Sequence, residues 1–272
     1  MKKFLGIILA VALCITGCFA LTACSEGDDV LYVYTNSGFA PFEYVNDKGE
    51  VVGLDIDIAE EIGEILGKKV VVKDVEFGMI FTNVQNDPNA IAIAGITKNA
   101  EREEWGIFSD DYFTSTQYAV VKADSALAQK AEITITDLAG LKIGVQTATT
   151  GDFMISDAVY GTEDEETGEH ITGDLEDGVT SVVGYKQILV ASGSLGTQID
   201  VMVIDELPAK SIADGTDGEY VAIPMHADPE SFGIFLNKDA TELKAKIDVI
   251  IAALKDSGTM DYFLLKHSGA IA

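Results

Sequence analysis

Residues 70–94 read VVVKDVEFGMIFTNVQNDPNAIAIA, and the order of patterns in this stretch decides the fold class. Val70 to Val75 is rich in β-branched residues, the composition of a strand. Phe77 to Val84 is helix-like, and Ala90 to Ala94 is a second apolar strand. Strands that alternate with helices in this way predict an α/β fold with a mainly parallel sheet.

The alternation continues outward in both directions. Upstream, Val30 to Tyr34 is a short strand and Asn36 to Pro41 a loop. Asn46-Asp47-Lys48-Gly49 reads as a hairpin turn between Phe42–Val45 and Val51–Val52. Ile56, Ile58, Ala59, Ile62, Ile65 and Leu66 then recur at helical spacing until Gly67 stops the helix. Downstream, strands are expected at Tyr118–Lys122, Leu141–Val145, Val201–Ile204, Tyr220–Ile223 and Phe232–Leu236. Helices are expected at Thr150–Ala158, Lys186–Ser192, Glu206–Ala213 and Ala240–Lys255, the last of them the longest. No fixed-period repeat is visible. Gly161 to Gly178 is crowded with acidic residues and has no Lys or Arg. The oxygen-ligand register of a calcium loop is missing from it, so it reads as a solvated acidic loop.

Bulk composition narrows the function classes. The chain has 272 residues, 47% of them hydrophobic and 23% charged, which suits a folded α/β protein with a substantial core. The net charge of −27 disfavours binding to nucleic acid and adhesion to anionic lipid heads. The three cysteines, Cys14, Cys18 and Cys24, all precede Ser25, so the folded body has neither a disulfide nor a thiolate metal site.

The N-terminus reads as an address. Met1-Lys2-Lys3 is basic and Phe4 to Ala23 is apolar, the pattern of a secretory signal, with a membrane-spanning helix as the alternative. Leu21-Thr22-Ala23-Cys24 resembles the bacterial lipobox, which makes residues 1–23 a signal peptide, Cys24 the lipidated residue and 24–28 a tether. Ile15-Thr16-Gly17-Cys18 competes for that role. A lipid-anchored protein of this kind works outside the cytoplasm.

Several motifs occur in a fixed order. Pro41-Phe42-Glu43-Tyr44 and Gly53-Leu54-Asp55-Ile56-Asp57 come first. Ala94-Gly95-Ile96-Thr97, Glu101-Arg102 and Phe108-Ser109-Asp110 follow. Asp137-Leu138-Ala139-Gly140, Gly144-Val145-Gln146, Ile204-Asp205 and Gly258-Thr259 complete the run. In this order the chain resembles the polar-amino-acid solute-binding proteins of ABC importers. The resemblance implies a type II periplasmic-binding-protein-like fold, two α/β lobes joined by two crossing hinge strands. It puts lobe 1 at 29–116 and 230–272, lobe 2 at 117–229, and the hinge near Gln117-Tyr118 and Pro229–Phe232. The implied function is capture of a small polar amino acid and its delivery to a membrane permease, by a monomer without cofactor or metal and without enzymatic activity.

Arg102 is the only arginine among 18 basic residues, and a guanidinium fork suits bidentate capture of a carboxylate. On spacing alone it could instead pair with Glu101 or Glu104. Thr97 adds a hydroxyl beside it. The resemblance assigns carboxylate donors to Thr149 and Thr150, which could equally cap a helix. Ala148 stands there in place of the family's glycine. Asp205, at the end of an apolar strand, is implied as the ammonium acceptor, with a helix N-cap as the alternative. Phe39 and Phe77 would flank the ligand side chain, with core packing as their alternative. Ala94, Gly95 and Gln146 match further ligand positions. Asn36, often an aspartate in binders of cationic side chains, favours a neutral polar ligand.

Two rivals share this fold. A cyclic-acid dehydratase would need a positioned acid or base. Glu43 and Asp205 are candidate cleft carboxylates, while His170, His226 and His267 form no constellation. A ligand-sensing module would need a separate membrane partner.

Overall fold

The computed structural model describes residues 29–164, 166–176, 181–184 and 198–269. Cys18, Cys24 and the helix expected at Lys186–Ser192 lie outside them. β1 (Val30–Thr35) leads into the hairpin of β2 (Tyr44–Val45) and β3 (Val51–Val52), then α1 (Leu54–Leu66) and β4 (Lys69–Asp74). α2 (Phe77–Gln85), β5 (Ala90–Ala92), the single turn α3 (Ala100–Glu103) and β6 (Ile107–Phe108) follow. β7 (Phe113–Ser115) and β8 (Gln117–Lys122) carry the chain to a second lobe. That lobe holds β9 (Lys142–Val145), α4 (Thr150–Tyr160), β10 (Thr162–Glu163), β11 (His170–Ile171) and β12 (Ser181–Gly184). It continues with β13 (Val201–Asp205), α5 (Glu206–Asp214) and β14 (Tyr220–Pro224). β15 (Glu230–Phe232) returns, and β16 (Phe235–Leu236), α6 (Thr241–Asp256) and α7 (Thr259–His267) finish the first lobe.

Each lobe is built on one five-stranded sheet, ordered β4-β1-β5-β16-β6 in the first and β12-β9-β13-β8-β14 in the second. The expected mainly parallel sheet is corrected here, because both sheets are mixed. β1 pairs in parallel with β4 and β5, as helical crossovers require, but β16 is antiparallel to both β5 and β6. In the second sheet β13 runs parallel to β9 and antiparallel to β8. β8 and β16 are the strands that follow a crossing between lobes, and they run against their β13 and β5 neighbours.

Two other local expectations change. The apolar run Phe232–Leu236 is not one strand. β15 pairs with β7 in a separate two-stranded ladder between the sheets, and β16 belongs to the first sheet. Gly233 and Ile234 make the step, with their amides bonded to the Ile96 carbonyl and the Ser109 hydroxyl. The acidic stretch is not wholly irregular, since β10 and β11 form a short antiparallel pair. Asp164 closes their turn by accepting from the amides of Glu166 and Thr167. Among the described residues no cluster of His, Cys, Asp or Glu could hold a metal ion, and no helix is long and apolar enough to cross a membrane.

The two crossing segments bring the C-terminal ends of β5 and β13 towards each other. β13 is buried along its whole length, and β5 likewise. The cleft lies between those strand ends, where α/β sheets place ligands.

Candidate functional site

Gly95 follows β5 with φ 53°, and a Cβ there would fall 2.5 Å from a ring carbon of Phe39. This close approach brings Phe39 against the strand end. The Gly95 amide donates to Asp55 Oδ2 at 2.8 Å, and the Tyr112 hydroxyl donates to the same oxygen at 2.9 Å. Asp55 is fully buried, and desolvation raises its pKa to about 6. Glu43 lies buried beside it. Burial, then the charge of Asp55, push the Glu43 carboxyl well above the usual carboxylate range. One oxygen of each carboxyl has no hydrogen-bond partner among the described residues.

The sign of this linkage is definite. A carboxyl whose folded pKa is raised supports the fold fully below its unfolded pKa, about 4, and loses that support as pH rises through the folded value. Glu43→Gln should therefore melt higher than wild type at pH 7. The gap should shrink towards pH 4. Melting curves at the two pH values check this, and a pH-independent gap would contradict it.

Arg102 sits on α3, whose N-cap Asn99 accepts from the Arg102 amide at 2.8 Å. Its side chain points inward and is 2% exposed. Nη1 donates to the Thr97 carbonyl at 2.7 Å and Nη2 to the Ala148 carbonyl of the other lobe at 3.0 Å. The guanidinium lies over the rings of Phe77 and Phe81, 5.5 and 5.2 Å from their centroids. Burial lowers its pKa to about 10, opposed by the fields of Glu230, Glu101 and Asp205. Among the described residues no carboxylate forms an ion pair with it, Glu101 and Glu104 included.

Ala148 has φ 67°, a left-handed conformation that costs a residue with a Cβ about 1–2 kcal/mol. Ala148→Gly relieves this, less the backbone entropy of glycine, about 0.5–1 kcal/mol. The variant should be more stable by up to about 1 kcal/mol, seen as a raised melting temperature. A lowered one would mean that the Ala148 methyl contributes packing that outweighs the strain.

α4 begins with Thr149 as N-cap. Its hydroxyl accepts from the Asp152 amide at 3.2 Å and donates to the Gln146 carbonyl at 2.7 Å. Thr149 is thus a helix cap in the cleft wall. The Thr150 hydroxyl donates to Glu230 Oε2 at 2.7 Å, and the Thr97 hydroxyl donates to the same oxygen at 2.5 Å. Gln117 Nε2 donates to Glu230 Oε1 at 2.8 Å. Asp205 occupies the N-cap position of α5 but makes no capping bond. Its Oδ1 is buried without a partner among the described residues. Burial, then the charge of Glu230, raise its pKa to about 8.

These groups line one cavity between the lobes, with about 20 Å³ of free space as the lobes stand. Phe39, Phe77, Ala94, Gly95, Thr97, Arg102, Gln146, Thr149, Thr150 and Asp205 are all on its wall, joined by Glu43, Gln117, Val203 and Ile204. Asn36 is not among the lining residues. Its Nδ2 donates to the Val75 carbonyl at 2.6 Å, and its Oδ1 accepts from Gln146 Nε2 of the other lobe at 2.7 Å. One N–H and one lone pair of its amide are thus engaged within the protein. Glu230 and Gln117 were not singled out from the sequence as site residues. The available signal was a carboxylate and an amide inside the two segments expected to form the hinge.

A family model described as bacterial extracellular solute-binding proteins, family 3, matches residues 31–270. The chain belongs to that family. This solute-binding protein is 26% identical over 270 residues to an arginine-binding extracellular protein of Bacillus subtilis, with 96% of each chain covered. The solved structure of an ancestral arginine-binding protein bound to arginine superposes with a TM-score of 0.75 at 27% identity, covering 90% of this chain and all of that one. A second ancestral structure of the same kind, bound to glutamine, gives 0.73 at 28% identity, over 88% and 97% of the two chains. The solute-binding protein therefore has the two-lobe type II fold with two crossing hinge strands. A cyclohexadienyl dehydratase of Pseudomonas aeruginosa matches over 83 residues only, 35% identical and covering 30% of this chain and 31% of that protein.

Proposed function

We propose that this solute-binding protein captures an L-amino acid with a cationic side chain between its lobes and delivers it to the permease of an ABC importer. The observation that carries the reading is the buried Arg102 guanidinium, which faces the cleft and, among the described residues, has no carboxylate paired to it. A buried charge without a counter-ion is costly, and a ligand carboxylate offsets that cost. The partnerless oxygen of Asp205 suits the ligand's ammonium group. Glu43 adds a second carboxyl on the wall, raised in pKa by burial, which a cationic group beside it would hold ionised, and Phe39 and Phe77 add ring faces. These suit a cationic side chain better than a neutral one.

The lobes, 29–116 with 230–272 and 117–229, close on the ligand about the two crossing segments. We read it as binding without turnover, since the arginine-binding relative matches across nearly the whole chain whereas the dehydratase matches over 83 residues. The leader 1–23 is removed and Cys24 carries lipid, leaving the protein on the outer face of the cell membrane. The intact mass of the detergent-extracted protein reads that modification.

A thermal-shift screen over the common amino acids tests the function. Ligand at 100 times Kd should stabilise by about 2.7 kcal/mol. L-arginine is expected among the largest shifts. No shift with any amino acid would overturn the reading.

A further inference from the structure

Glu230 lies on the crossing strand β15, yet its carboxylate takes hydrogen bonds from both lobes. Thr97 belongs to the first lobe and Thr150 to the second, and both donate to Oε2, at 2.5 and 2.7 Å. Gln117, on the other crossing strand, holds Oε1 at 2.8 Å. Thr97 and Thr150 also line the cavity, beside Asp205. A threonine hydroxyl has one proton to donate and two lone pairs to accept with. Both protons are committed to Glu230. What the two hydroxyls can offer a ligand is therefore acceptors, not the carboxylate donors that their residue types suggest.

We propose that Glu230 is the positioning residue for the ligand's ammonium group. By drawing the protons of Thr97 and Thr150, it turns one hydroxyl oxygen from each lobe into an acceptor next to the free oxygen of Asp205. An ammonium has three protons to donate, and three acceptors then surround its place. Arg102 remains for the carboxylate, with the amides of Thr150 and Gly151 at the start of α4, which have no intrahelical acceptor. The two ends of an amino acid are thereby told apart. Because Glu230 takes a bond from each lobe, this arrangement is complete only when the lobes meet.

The inference rests on the amino-acid reading above, and its test separates the two. Binding is measured by calorimetry with L-arginine and its des-amino analogue 5-guanidinopentanoate. The same is done with L-glutamine and its des-amino analogue 4-carbamoylbutanoate. Wild type should prefer the amino acid in whichever pair it binds. In Glu230→Gln the bond from Gln117 Nε2 keeps the amide oxygen at the Oε1 place, so the amide N–H group faces both hydroxyls and both reverse. The preference should fall by about tenfold, through weaker binding of the amino acid alone. A hinge support without this role would weaken both members of a pair equally, and an unchanged preference overturns the proposal. Thr150→Val should lower the preference and Thr150→Ser should keep it, which covers a Glu230 variant that fails to fold. Wild type that binds no amino acid overturns the underlying reading instead, and an amino acid other than these two that binds is paired with its own des-amino analogue.

Discussion

Arg102→Ala should weaken binding of the preferred amino acid by about 30-fold or more while leaving the protein folded. Truncating one partner of a buried, hydrogen-bonded charge pair costs about 2–5 kcal/mol, and each 1.4 kcal/mol is tenfold in affinity. The ligand carboxylate would be left facing two backbone carbonyls, those of Thr97 and Ala148, that now accept from Arg102. Stability should change far less than affinity. The lost donors and the contacts over Phe77 and Phe81 are partly offset by removal of a desolvated charge. Arg102→Lys keeps the charge without the planar fork, so its affinity should fall between the two. Calorimetric titration with a circular-dichroism melt of each variant reads both quantities. Wild-type affinity in Arg102→Ala would remove Arg102 from the site.

Phe232→Ala should be the most destabilising single truncation at the crossing strands, by about 3–5 kcal/mol. The ring is fully buried and packs against Phe42, Phe113 and Tyr112 at centroid distances of 5.4, 5.9 and 6.3 Å. Its backbone also accepts from the Tyr112 amide. The cavity left behind has backbone of both crossing segments around it, which limits collapse. For a chain of this size the loss corresponds to roughly a 10 °C fall in melting temperature. A loss below about 1 kcal/mol would show that the ring cluster relaxes into the space.

Much of this architecture can be read from the chain. The apolar periods of Ile56–Leu66 and of Ala90–Ala94 mark α1 and β5, because one face or both must be buried. Other features depend on partners distant in sequence. Phe232–Leu236 is continuous in hydropathy, so nothing local announces that Phe232 and Phe235 serve different sheets. Strand direction in the mixed sheets follows from where the chain re-enters a lobe, which periodicity does not record. Around the cleft, residue type marked Arg102, Thr97 and Asp205 as polar groups in apolar surroundings. Their roles depend on who holds which proton. Asn36 is spent on Val75 and Gln146, Thr149 on its own helix, and Thr97 and Thr150 on Glu230, a residue more than 75 positions away from each. A carboxylate at position 230 is unremarkable until its neighbours are known.

The crossing segments also bear on mechanics. The first crossing, between β7 and β8, has only Thr116 outside a strand, and the second, between β14 and β15, has the five residues 225–229. With two soft torsions per residue, the lobes share few adjustable angles. Two tethers this short and side by side act as a door hinge, which permits swing about one axis and resists sliding and twisting. Loading and unloading then follow one path in opposite directions. A substitution that only stiffens the tether slows arrival and departure by the same factor, changing how long the door takes to move but not how often it is found shut.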